Sequence, residues 1–97
     1  MDFVQSLQRG LAVIRSFDAD HPQLTLSEVA ARTGLTRATA RRLLLTLGEL
    51  GYASTNGRRF SLTPRVLDIG YAYLSSLNAQ QIAQPYLEAL SERVHES

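Results

Sequence analysis

Apolar residues recur at helical spacing from the start of the chain. Val4, Leu7, Leu11 and Ile14 stand three or four positions apart, with Phe3 and Phe17 near the ends. A 3.6-residue period brings such positions onto one face, so the pattern predicts a first helix over about 2–17. Asp18 to Pro22 then supply turn formers, and Pro22 biases His21 toward extended backbone. Leu24, Thr25 and Leu26 read as a short apolar connector. Ser27 is a candidate N-cap, with Glu28 following in a first turn where the positive end of a helix favours a carboxylate. Val29, Ala30 and Thr33 continue a short helix, and Gly34 stands where a left-handed cap residue belongs. Thr36 can cap the next helix, whose Ala40, Leu43, Leu44, Leu47 and Leu50 share a face before Gly51 stops it. A short helix, a Gly-Leu turn and a longer second helix make a helix-turn-helix.

The period then changes. Tyr52 to Thr55 and Arg58 to Leu62 flank Asn56-Gly57, a hairpin signal in which both turn residues would take positive φ. Tyr52, Phe60 and Leu62 would face inward, leaving Arg58 and Arg59 at the exposed tip and return strand: a wing. Thr63-Pro64 next provides an N-cap and a proline at the first helical position. Val66, Leu67, Ile69, Gly70, Tyr73 and Leu74 fill a fourth helix to about Ser76. Asn78 can cap a fifth, with Ile82, Tyr86, Leu87, Leu90 and Val94 apolar, and Pro85 kinking it or marking its start. The expected fold is mainly α with a small β-hairpin, a winged helix-turn-helix followed by further helix.

Composition narrows the function more by distribution than by totals. The 97 residues suit one compact domain with an appended helix, and the formal net charge is only +1. All ten basic residues are arginine. Six of them (Arg32, Arg37, Arg41, Arg42, Arg58, Arg59) lie between positions 32 and 59 against a single acid, Glu49. After Leu62, Asp68, Glu88, Glu92 and Glu96 face only Arg65 and Arg93. A basic middle and an acidic tail fit a nucleic-acid partner, although charge counts alone fit solvated helix faces equally well. There is no cysteine, no apolar run near 18 residues and no secretion-signal layout, so the expected compartment is the cytoplasm.

The second helix of a helix-turn-helix places its N-terminal residues against base edges in the major groove. Here that end carries Arg37, Ala38 and Arg41 opposite the leucines. Arginine can pair bidentately with guanine and alanine can touch a thymine methyl, so these three are the candidate base readers. Thr36 and Thr39, beside free helix N–H groups, are candidate phosphate contacts, as is Ser27 at the preceding helix. Arg42 can reach a phosphate or pair with Glu49 or Glu28. Arg58 and Arg59 can grip phosphates or enter the minor groove. Simple capping also accounts for Thr36 and Ser27, and an ordinary charged hairpin tip for Arg58 and Arg59. His21 and His95 stand alone and read as surface residues, and Tyr71 and Tyr73 as core or interface. No nucleophile with a supported base, Gly-rich phosphate loop or metal-ligand cluster is present, so neither an enzyme activity nor a cofactor or metal is expected.

These residues together resemble the isocitrate lyase regulator (IclR) family of bacterial transcription factors. The resemblance is carried by Ser6 to Leu11, by Leu26 to Leu35, by Thr39 to Leu44 and by Phe60 to Leu74, and covers about residues 3–75. The last segment looks most like the branch that regulates catabolism of protocatechuate and related aromatic acids. The resemblance implies a homodimer or tetramer on a palindromic double-stranded operator. It also implies a division into 1–63 as the DNA-binding domain, 64–78 as a linker helix and 79–97 as the start of a truncated effector-binding domain, the small-molecule effector binding only in the absent part. Many members carry histidine at the position of Arg41 and valine at that of Ala40, so the resemblance does not carry a known operator sequence over to this chain. Leu7, Val13, Tyr71 and Leu74 exceed what a three-helix core needs and are candidates for the dimer contact. The rival readings are a winged helix used for protein contact, which should show apolar groove-facing residues, and an RNA-binding module, which should expose aromatics.

Overall fold

The computed structural model describes residues 2–77 and 79–96. The chain divides into two compact units, one ending at Arg65 and the other starting at Val66. In the first, α1 (Gln5–Arg15), β1 (Leu24–Thr25), α2 (Leu26–Thr33) and α3 (Arg37–Glu49) precede the hairpin of β2 (Ala53–Thr55) and β3 (Arg59–Leu62). A 3-10 turn over Pro64–Val66 leads to α4 (Leu67–Leu74) and α5 (Ala79–Glu96). The family fold, mostly helical with a small antiparallel sheet, is as expected. α1 is shorter than the expected 2–17 because Val4 and Ser16 cap it.

The core is made where α1, α2 and α3 meet the sheet. Val13, Leu24, Val29, Ala30, Ala40, Leu44, Leu47 and Ala53 are buried, and Ile14, Phe17, Leu43, Tyr52 and Phe60 pack partly against them. Val13 is fully buried and therefore belongs to this core, not to a dimer contact. Leu7 and Leu11, by contrast, are largely exposed, as are Phe3 and Val4. Leu50 was expected on the buried face but is 56% exposed, because it is the C-cap where α3 gives way to the turn.

Three local devices differ from the sequence expectation. The N-cap of α2 is Thr25, not Ser27: the Thr25 hydroxyl accepts from Glu28 N–H at 3.2 Å, and Glu28 Oε1 accepts from Thr25 N–H at 2.8 Å. That reciprocal capping box needs a carboxylate three residues on, which Thr25 has and Ser27 lacks. Leu24-Thr25 is not a plain connector but a strand, paired Leu24↔Phe60 and Thr25↔Arg59. β3 is thereby the centre of a three-stranded sheet of order β1-β3-β2. Finally, the Asn-Gly turn is not a pair of positive-φ residues; among the described residues only glycines have positive φ, Gly57 at 99°. The Asn56 carboxamide oxygen accepts from Arg58 N–H (3.0 Å) and Arg59 N–H (2.8 Å), so a side chain helps close the turn and Asn56 itself stays on the ordinary side of φ while Gly57 alone takes the positive value.

Gly34 caps α2 with φ 73°, as its position predicted, and Thr36 caps α3. Thr63 donates its hydroxyl to the Gly51 carbonyl and accepts from Arg65 N–H at 3.3 Å, fastening the end of β3 to the end of α3. In the second unit Pro85 lies inside α5 and does not mark its start. The expected cap Asn78 lies outside the described residues.

Candidate nucleic-acid interface

Successive residues on α3 are rotated by about 100°. The buried trio Ala40, Leu44 and Leu47 fixes the inward direction, so Ala38, Arg42 and Leu45 point away from the core, with Arg37 and Arg41 flanking on the wing side. All five are exposed. The start of the helix is held by Thr36, whose hydroxyl accepts from Thr39 N–H at 3.1 Å and donates to the Thr39 hydroxyl at 3.0 Å. Both hydroxyls are thus engaged in capping while remaining at the helix mouth.

Arg37 and Arg41 line an open cleft of about 620 Å³ whose other walls include Ser27 on α2 and Arg58 on the wing. These four sequence candidates therefore come together around one hollow. The cleft lining does not include Ala38, Thr36, Thr39 or Arg42, which belong to other parts of the α3 surface. Arg42 forms no ion pair with Glu28 or Glu49; among the described residues of the first unit the ion pairs are His21–Asp18 and Arg32–Asp18. Arg37, Arg41 and Arg58 have no such partner either, so their charges are presented to solvent.

Arg59 is placed differently from its neighbour. Alternation along a strand sends successive side chains to opposite faces, and Arg59 lines a separate hollow with Asp20, His21 and Glu28. Glu28 is held below the ordinary carboxylate range, first by the Thr25 backbone N–H and then by the Thr25 hydroxyl, with the charge of Arg59 lowering it further. Asp18 is lowered chiefly by the hydrogen bond from His21, with His21 and Arg32 charges adding to it. Its carboxylate accepts from His21 Nδ1 at 3.0 Å and from Arg32 Nη2 at 2.9 Å, while Arg32 Nε donates to the Ser16 carbonyl. This clip joins the loop after α1 to α2. Arg32, counted with the basic middle, is thereby structural.

Leu45 is the cleft residue that sequence reasoning passed over. It is 48% exposed and lines the same hollow as Arg37 and Arg41. Leu45 stands outside the apolar face of Leu43, Leu44, Leu47 and Leu50, and it follows Arg41 by four and Arg37 by eight, a spacing that sets it on the arginine row.

Among the described residues there is no group of side chains that could hold a metal ion, and no helix is long and apolar enough to cross a membrane.

Comparison with known proteins agrees with this architecture. Residues 6–57 match the IclR helix-turn-helix domain. The chain is 49% identical over 96 residues to the Pca regulon regulatory protein of Pseudomonas putida, covering 99% of this chain and 33% of that protein. It is 43% identical to the p-hydroxybenzoate hydroxylase transcriptional activator of Acinetobacter baylyi, covering 92% of this chain and 33% of the relative. A crystal structure of a transcriptional regulator from Rhodococcus sp. RHA1 superposes with TM-score 0.73 at 64% identity, over 96% of this chain and 37% of that one. The chain thus spans about a third of the length of the curated relatives it matches. With the matched segment taking in α1, both helices of the helix-turn-helix and the first wing strand, the chain belongs to the IclR helix-turn-helix domain family.

Proposed function

We propose that this chain is the operator-reading part of a transcriptional regulator of aromatic-acid catabolism genes. The observation that carries the reading is the convergence of unpaired Arg37 and Arg41 on α3 with Arg58 on the wing around one open cleft. Cations left without protein partners on an exposed helix and an adjacent hairpin match a duplex, whose phosphates line both sides of the groove that a recognition helix enters. Arg37 and Arg41 pair with guanine edges, Ala38 touches a thymine methyl, and Ser27, Thr36, Thr39, Arg42 and Arg58 are the candidate phosphate contacts, whereas Arg59, beside Glu28 in a separate hollow, is not among them. The aromatic-acid setting is supported by the names of the Pseudomonas and Acinetobacter relatives.

The reading includes a homodimer or tetramer on a palindromic operator in the cytoplasm. Support for self-association comes from Phe3, Val4, Leu7 and Leu11, apolar residues 48–65% exposed at and before α1. Residues 1–63 serve as the DNA-binding domain, 64–78 as a linker helix and 79–97 as the start of an effector-binding domain, which holds the small-molecule site elsewhere in a longer protein.

Selection of bound duplexes from a random pool at moderate salt tests the proposal. Enrichment of a two-fold-related motif is the expected result. Salt-sensitive binding without enrichment would reduce the function to phosphate gripping, and absence of binding would favour a protein-contact role for the wing and α3.

A further inference from the structure

Resting on the DNA-reading role proposed above, we infer that Leu45 is a specificity-determining residue that reads the C5-methyl group of a thymine. Leu45 is 48% exposed in a cleft that it shares with Leu26 and Phe60 and with the solvated cations of Arg37, Arg41 and Arg58, so it presents apolar surface on the arginine side of α3. Its neighbours Leu43 and Leu44 are drawn into the core, half-buried and fully buried respectively, so the exposure of Leu45 is not a failure of packing in this part of α3. It lies on the outward arc of the helix, between the directions of Arg41 and Ala38.

The chemistry of the groove supplies a counterpart. Of the four bases only thymine presents a methyl group in the major groove, and apolar side chains recognise it by contact. The flanking arginines, attracted to phosphate and guanine, would bring Leu45 to the base edges without any contribution of its own. Leu45 stands eight residues beyond Arg37, about 12 Å along the helix axis at 1.5 Å per residue. With base pairs about 3.4 Å apart, the thymine read by Leu45 is expected roughly three to four base pairs from the guanine read by Arg37. From that read by Arg41 it is expected at roughly half that distance.

The methyl can be removed without touching anything else. In the duplex obtained by selection, each thymine of a half-site is replaced in turn by deoxyuridine, and binding is measured for the wild-type chain and for Leu45→Ala. One thymine should matter to the wild type by about fourfold, the worth of one methyl taken out of water, and that same replacement should be silent in Leu45→Ala. Because Leu45 is half exposed, a circular dichroism melt of Leu45→Ala should match the wild type, which separates lost reading from lost folding. If the wild type binds every deoxyuridine duplex as tightly as its parent, or if Leu45→Ala keeps the same fourfold loss, the assignment of Leu45 is overturned while the role of α3 stands. A motif with no thymine in the expected range also overturns it alone. Failure to select any motif removes the DNA-reading proposal and this one together.

Discussion

Arg58 and Arg59 are adjacent in sequence and differ in surroundings. Arg58 opens on the cleft shared with Arg37 and Arg41, whereas Arg59 stands over Glu28, whose carboxylate the capping box already holds in its charged form. A cation that contacts a phosphate releases condensed counterions, and each such contact adds about 0.9 to the slope of log K against log salt. Arg58→Ala should therefore lower the salt slope by roughly that amount and weaken all sequences alike, while Arg59→Ala should leave the slope near its wild-type value. Titrations of one duplex at several salt concentrations check both. Arg37→Ala and Arg41→Ala should instead each cost about 1–3 kcal/mol on the selected operator and relax base preference at one position. An unchanged preference after either substitution would remove that residue from the reading face.

At the scale of elements, the helix-turn-helix is held by short-range devices. Thr25→Ala removes the hydroxyl that caps α2, and should lower stability by about 1 kcal/mol in a urea titration. A second device responds to acid. The folded chain depresses the affinity of Asp18 for protons, so the clip to His21 and Arg32 contributes stability above the ordinary carboxylate range. That contribution is lost as pH falls through the range and below, under about pH 4. Asp18→Asn should be less stable at neutral pH and lose less of its stability on acidification, readable as a shallower fall of melting temperature with pH.

These devices also show what could be read from the residues alone. Gly34 and Thr36 were legible because one position and one residue type suffice to identify a left-handed cap or an N-cap. The long leucine repeat placed α3, and with it Arg37 and Arg41. The two-residue strand β1 was not legible, since Leu24-Thr25 is too short for alternation and becomes a strand only when Phe60 and Arg59 of the distant β3 pair with it. Asn56 was legible as a turn former but not in its mode of action, because carboxamide bonding and positive φ favour the same residue type. Leu45 was masked by half-buried Leu43 and buried Leu44 before it, and the exposure of Leu50 by the end of its helix, which periodicity cannot see.

For the whole molecule the first unit presents two surfaces of opposite kind. One is arginine-rich, around α3 and the wing; the other is the apolar row of Phe3, Val4, Leu7 and Leu11. That row is the self-association site of the proposed dimer. Sedimentation should show mass rising with concentration, and Leu7→Arg should hold the chain monomeric with its melting behaviour intact. The same variant should lose affinity for a two-fold motif far more than for a single half-site, since only the former gains from joining two readers.

The turn closed by the Asn56 carboxamide bears on how such a reader changes its target. Both ladders of the sheet end at the root of the wing: Thr55 pairs with Phe60, and Thr25 with Arg59. Asn56, Gly57 and Arg58 lie beyond them. Asn56 and Gly57 keep the turn closed, so an exchange at Arg58 recharges the arm without shifting any strand register or turning α3. Grip and reading are therefore separable inheritances, and a lineage can adjust how firmly it holds the backbone while the letters it recognises stay the same.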